Sequence, residues 1–95
     1  MNNKKEKTLQ TKIIKYINSL ENSKAIAIQG QYIEAGTPDI ISVIQGTPVF
    51  IETKIPGATP RPLQLKRIKE WINSGCHAFW TDNFKTAKKQ IDGFK

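Results

Sequence analysis

The sequence contains one cysteine and one histidine, and this shortage excludes several kinds of site. A single thiol cannot close an internal disulfide, so the chain is not a disulfide-stabilised scaffold. Cys76 and His77 are too few for a Cys/His zinc site or for a nucleophilic triad with several candidate members. No apolar run approaches the roughly 20 residues that cross a bilayer. The charged start MNNKKEK has no apolar stretch after it, so we expect no signal peptide and a reducing, cytoplasmic location.

Acidic residues are also scarce. Eight Asp and Glu face fifteen Lys and Arg, which gives a formal net charge of +7 in 95 residues. A chain of this length makes one small domain with one core. A basic domain of this size favours an anionic partner, with nucleic acid first and an acidic membrane surface second. The alternative is a protein that simply carries excess lysine.

Hydrophobic spacing predicts three helices and four strands. Apolar residues recur every three or four positions in the first of these segments, whereas the strands are short β-rich runs bounded by Gly, Pro or Asp. The predicted elements, in order, are a helix over 5–20, strands over 25–28, 39–44 and 49–54, a helix over 62–73, a strand over 77–81 and a helix over 84–92. This order predicts an α/β sandwich around a mixed sheet.

Two carboxylates and a lysine lie where the second and third strands meet. Glu52 and Lys54 are two residues apart in a strand, so their side chains share one face. A turn at 45–47 would pair position 39 with about position 53, which brings Asp39 beside Glu52. Paired carboxylates bind Mg²⁺, and a neighbouring lysine can orient a water or hold a phosphate oxygen. The alternative is a solvated strand face, with Asp39 as a turn cap.

The sequence motifs that surround these residues are more specific than a pair of carboxylates with a lysine. The motifs, in chain order, are Gly36-Thr37-Pro38-Asp39-Ile40-Ile41, Ile51-Glu52-Thr53-Lys54, a Gly/Pro loop, Pro62-Leu63-Gln64 at a helix start, and Gly75 before a strand. Together they resemble the virus-type replication-repair nuclease (VRR-NUC) domain of the PD-(D/E)XK nuclease superfamily. The resemblance runs from about Glu6 to the last helix. It implies a restriction-endonuclease-like α-β-β-β-α-β-α core, with a central mixed sheet flanked by helices, and one nuclease domain over residues 1–95.

The resemblance also implies roles for individual residues. Asp39 and Glu52 correspond to metal-binding acids, Lys54 to the catalytic lysine, and Thr53 to a residue whose backbone carbonyl meets the metal. Glu6 corresponds to an acid that completes the metal site, and Gln64 to a glutamine beside the catalytic centre. The position between Glu52 and Lys54 is often aliphatic in the family, and threonine departs from that. The alternatives to these roles are structural. Glu6 would then be an acid favoured in the first turn of a helix, and Gln64 an exposed helix residue.

Basic residues surround the helices that carry Glu6 and Gln64. If both helices flank the metal, their lysines and arginines are placed to follow DNA phosphates. The alternative for each is a solvated surface charge. The candidate DNA-binding residues are Arg61, Lys66, Arg67 and Lys12.

The resemblance implies a Mg²⁺-dependent, structure-selective DNA endonuclease, with Mn²⁺ as a substitute metal. Our first interpretation is a Holliday-junction resolvase that acts as a homodimer, since two sites related by a two-fold axis can nick two opposed strands. The second is a flap or nonspecific nuclease. The implied source is a phage or mobile element, and the implied location is then the host cytoplasm. The partners would be branched or duplex DNA and a second copy, not a membrane. A noncatalytic basic DNA-binding module and a lysine-rich phage interaction protein stay open as alternatives.

Overall fold

The structure is a computed structural model that describes residues 4–95, and its elements follow the predicted order. They are α1 (Lys4–Ser19), β1 (Ser23–Ala27), β2 (Ile40–Ile44), β3 (Thr47–Thr53), α2 (Pro62–Asn73), β4 (His77–Thr81) and α3 (Phe84–Asp92). The last three have the predicted bounds, and the others differ by at most two residues. None of the helices within 4–95 combines the length and apolar character that a membrane crossing requires.

The four strands form one mixed sheet in the order β1-β2-β3-β4. β1 pairs antiparallel with β2 and β2 antiparallel with β3, whereas β3 and β4 are parallel. A parallel pair needs a crossover connection, and α2 supplies it. Helices α1 and α3 pack on one face of the sheet and α2 packs on the other, against β3 and β4. The predicted α-β-β-β-α-β-α fold with a mixed sheet between helices is therefore confirmed.

The main core lies between the sheet and the pair α1 and α3. Ile13 and Ile17 of α1 and Ile91 of α3 are fully buried against alternate residues of the central strands, such as Val49 and Ile51. Because side chains alternate along a strand, the intervening residues of β3 face α2 instead. This alternation decides which residues of β3 can reach a site on the α2 face.

The β2–β3 hairpin has a two-residue turn, which corrects the predicted register. Gln45 and Gly46 have φ of 47° and 88°, and positive φ at both positions is the turn whose twist matches the flanking strands. Ile40 is opposite Ile51, so the next position along places Asp39 opposite Glu52. The predicted turn at 45–47, with position 39 opposite 53, is wrong by one residue.

The loop before β2 is held closely against α2. Gly36 has a φ of +83°, and a Cβ there would lie 2.9 Å from Leu63 Cγ. Only glycine accepts both the backbone conformation and the contact. Arg67 donates from Nε to the carbonyl of Ala35 at 3.1 Å and forms an ion pair with Glu34. These contacts fix the segment that ends in Asp39.

Candidate active site

Asp39 and Glu52 meet at one end of the sheet, as the sequence predicts. Asp39 directly precedes β2, and Glu52 is the second-last residue of β3. Glu52 shares the α2 face of the sheet with Phe50, whose ring stacks on Trp71 at 4.1 Å. The Glu52 side chain is buried at 2% exposure. Its register neighbour on β4 is Trp80, which adds an aromatic side chain to the same face.

Within the described part of the chain, burial leaves one oxygen of Glu52 without a partner and raises the pKa of its carboxyl group. Its Oε1 atom is buried without a hydrogen-bond partner among the described residues. Desolvation, followed by the charge of Asp39, raises the pKa of Glu52 from 4.5 to about 8, although Lys54 acts in the opposite direction. An unpartnered carboxylate oxygen in this position is costly unless a cation or a proton satisfies it.

Gln64 connects Glu52 to Lys54. Its Nε2 donates to Glu52 Oε2 at 2.6 Å, and its Oε1 accepts from Lys54 Nζ at 3.3 Å and from the backbone N–H of Arg61 at 2.8 Å. Helix α2 starts with Pro62, a residue suited to the first helical position, and this start places Gln64 in the first turn. The structure thus brings together three of the predicted catalytic residues.

A hydrogen-bond chain from α1 holds Asp39, and the sequence analysis missed part of it. Asp39 Oδ2 accepts from the Thr53 backbone N–H at 2.9 Å and from Thr53 Oγ1 at 2.8 Å. Thr53 Oγ1 in turn accepts from Gln10 Nε2 at 3.1 Å. Gln10 is 6% exposed, one turn after Glu6. A glutamine within the apolar stripe of an amphipathic helix was the available signal for this contact.

The donor set suits a divalent cation held by two protein carboxylates. Between residues 4 and 95, no group of three or more His, Cys, Asp or Glu side chains is placed to hold a metal ion. Asp39 and Glu52 offer hard oxygen atoms, and the unpartnered Glu52 Oε1 lacks only a positive partner. Mg²⁺ commonly uses one or two carboxylates and fills its other positions with water and phosphate oxygens. Glu6 lies near enough for its charge to raise the Glu52 pKa further.

The predicted DNA-binding residues fall into two groups. Lys12, Arg61 and Lys66 are exposed on α1 or near the start of α2. Arg67 is only 19% exposed and is engaged by Glu34, the carbonyl of Ala35 and Glu70. Its guanidinium therefore ties α2 to the preceding loop in this structure, whereas the other three extend from the surface.

Comparisons with known proteins agree with this architecture. No protein-family model matches the chain, and no curated protein matches it in sequence. A solved structure described as a VRR_NUC domain aligns with a TM-score of 0.81 at 22% identity, over 96% of this chain and 98% of that one. A second, described as a VRR_NUC domain protein, aligns with a TM-score of 0.78 at 17% identity, over 99% and 90%. The resemblance stated from the residues is thereby confirmed in three dimensions, and the chain has the VRR_NUC fold.

Proposed function

We propose that this protein is a divalent-metal-dependent nuclease that hydrolyses phosphodiester bonds in DNA. The observation that carries the proposal is the buried, unpartnered Glu52 oxygen beside Asp39, with Lys54 linked to Glu52 through Gln64. Buried carboxylates that lack an ordinary partner are typical of functional sites. The two VRR_NUC structures with the same fold support the same assignment.

Each residue has a distinct part in the proposed reaction. Asp39 and Glu52 would hold the ion, with the Thr53 carbonyl as a further ligand, and Glu6 would add negative charge nearby without joining them as a third ligating side chain. When bound, Mg²⁺ or Mn²⁺ lowers the pKa of a coordinated water and offsets charge on the phosphate. Lys54 carries a cation that can orient the attacking water or contact a phosphate oxygen. Gln64 fixes Lys54 Nζ relative to Glu52.

The finer proposal is a structure-selective endonuclease, with a four-way junction as its first substrate and a flap as its second. A net charge of +7 favours a polyanion. A homodimer would present two sites to a junction. Ile26 and Val43, on the β1–β2 half of the sheet, are 51% and 42% exposed and offer an apolar surface for a second copy.

A cleavage assay tests the nuclease assignment. Labelled four-way junction, flap and linear duplex would be incubated with Mg²⁺, Mn²⁺ or EDTA. We expect metal-dependent cuts by the wild type and none by Glu52→Gln, which keeps the side-chain size but loses the carboxylate. Lys54→Ala should lose cleavage and keep most DNA binding, because it removes one cation of fifteen Lys and Arg. Lys89→Ala, at an exposed position in the last turn of α3, is the matched control.

The outcomes separate the alternatives. Symmetric paired cuts in the junction, together with a dimer in sedimentation, support the resolvase proposal. Cuts mainly in the flap keep the nuclease and change its substrate. Tight DNA binding without cleavage under either metal indicates a noncatalytic binding module. Cleavage by Lys54→Ala at the wild-type rate removes Lys54 from the mechanism.

A further inference from the structure

A groove opens beside the candidate active site, between the first turns of α1, the loop after β3 and the start of α3. Its volume is about 680 Å³, within the range of about 300–1,000 Å³ found for small-ligand pockets. We call it the α1–α3 groove. Lys54 lines it and also reaches Gln64 on the other side, so the groove begins where the proposed chemistry takes place.

The walls of the α1–α3 groove combine an apolar floor with a basic rim. Leu9, Ile55 and Phe84 contribute apolar side chains, and Leu9 and Phe84 are anchored in the main core. Lysines 4, 5, 12 and 54 line the same groove. Among the described residues that line it, Asp82 is the acidic one, and it accepts hydrogen bonds from the Gly57 N–H at 2.9 Å and from Asn83 Nδ2 at 2.8 Å. An apolar floor under several ammonium groups suits a ligand with a flat ring and phosphates.

We propose that the α1–α3 groove binds an unpaired nucleotide of the DNA substrate, with the base on Leu9, Ile55 and Phe84 and the flanking phosphates near Lys4 and Lys12. A base within a duplex is stacked on both faces and cannot enter such a groove, whereas an unstacked base can. The proposal rests on the nuclease assignment and, of the two substrates proposed above, favours the flap, because a fully paired four-way junction has no unpaired nucleotide to enter the groove.

Two threonines on α1 provide a matched pair of variants. Thr8 and Thr11 are both exposed, and each donates from Oγ1 to the carbonyl four residues earlier at 2.9 Å. Thr8 lines the groove and Thr11 does not. Thr8→Glu and Thr11→Glu therefore add the same charge to the same helix, and only the first places it in the groove. Ile55→Ala removes apolar floor without any change of charge.

Binding would be measured by fluorescence anisotropy in EDTA, so that no cleavage is needed. The probes are a labelled oligothymidylate, a duplex of equal length and an abasic sugar-phosphate oligomer. We expect Thr8→Glu and Ile55→Ala to weaken oligothymidylate binding by about fivefold or more, the scale of one lost base contact. Duplex binding by Ile55→Ala should change little, and Thr11→Glu should weaken oligothymidylate binding much less than Thr8→Glu does. The abasic oligomer should bind less tightly than oligothymidylate.

Equal losses in Thr8→Glu and Thr11→Glu would show a diffuse basic surface and overturn the groove assignment. Equal binding of the abasic oligomer would overturn the base contact. Thermal unfolding checks that Ile55→Ala folds, and Thr8→Glu, at an exposed helical position, tests the proposal independently. Normal groove binding without metal-dependent cleavage would contradict the nuclease assignment alone, whereas cleavage without these binding differences would contradict the groove alone.

Discussion

Among individual residues, Glu52 most strongly links the fold to chemistry. Its carboxyl is buried with one oxygen unpartnered, and its pKa is raised to about 8 from an ordinary 4.5. In the folded protein without metal, the carboxyl therefore holds its proton through the neutral range. Ionising the buried carboxyl at higher pH lowers the stability of the folded protein unless a cation lies next to it.

The pH dependence of stability follows from this shift. Below pH 4.5 the carboxyl is protonated in both states and has no linkage effect. Above that value the unfolded chain loses its proton first, so the folded protein loses relative stability until pH passes about 8. We expect the melting temperature in EDTA to fall across this window more for wild type than for Glu52→Gln. Parallel curves would contradict the raised pKa.

Metal binding should show the complementary trend. Because the cation needs the ionised carboxylate, binding releases a proton below about pH 8. Calorimetry with Mn²⁺ should therefore show affinity that rises with pH and levels off above pH 8.

Thr53 is predicted to act through Asp39. Its hydroxyl donates to Asp39 and accepts from Gln10, so Thr53→Val leaves both groups without this partner. We expect a loss of about 1–3 kcal/mol in stability and weaker Mn²⁺ binding. Thr81→Val is the control, since Thr81 is the register neighbour of Thr53 but bonds Asn83 instead. The control should lose stability and keep its Mn²⁺ affinity. Equal Mn²⁺ affinity in both variants would remove Thr53 from the support of Asp39.

Sequence reasoning found the two acids, Lys54 and Gln64, but it missed Gln10 and the part of the Thr53 hydroxyl in holding Asp39. The types of the residues that it found and the motifs around them are distinctive. The structure places these side chains together, namely Asp39, Glu52, Lys54 and Gln64. Gln10 and Thr53 are 43 residues apart. Only the packing of α1 on the sheet shows that an ordinary helix glutamine meets a strand hydroxyl.

At the level of elements, the β2–β3 hairpin decides whether the two acids face each other. Strand and helix types follow from periodicity and were predicted along the whole chain, but pairing register depends on the exact turn. The sequence Gln45-Gly46 lacks the Asn-Gly signature of a turn with positive φ at both positions. The prediction placed the turn at 45–47 and centred the pairing near position 46, so its register was one residue out.

This turn can be improved by substitution. Gln45 has a φ of 47°, a conformation that asparagine adopts more easily than glutamine. We expect Gln45→Asn to raise stability by up to about 1 kcal/mol, part of the cost of a left-handed conformation, without changing the cleavage rate. Gln29→Asn, at an exposed position outside the residues with positive φ, should give no such gain. Chemical denaturation of the two variants beside wild type provides the measurement.

For the whole molecule, the excess of positive charge predicts how the proposed DNA binding responds to salt. Each phosphate contact releases counterions, so the logarithm of affinity should fall linearly with the logarithm of salt concentration. Lys66 is exposed on α2, and Lys66→Ala should reduce that slope by about 0.9 if it contacts a phosphate. Lys89→Ala on α3 should leave the slope unchanged. A salt titration by anisotropy distinguishes the two.

Arg67 illustrates why charge alone does not identify a DNA contact. Its guanidinium is engaged by Glu34 and Glu70, and in the sequence it looks the same as its exposed neighbour Lys66. The distribution of positive charge over the surface is a property of the folded molecule. The net charge alone indicated only that the partner is anionic.

The tethered loop before β2 also has a practical use in protein engineering. The Ile28 N–H donates to the Asp39 carbonyl at 2.8 Å and closes the base of the loop. Gly36 packs closely against Leu63 of α2. Residues 29–33, which precede the contacts of Glu34 and Ala35 with Arg67, are exposed. Peptides of different length or chemistry can therefore be inserted into this span while the contacts that position Asp39 are kept, which makes the loop a suitable insertion site.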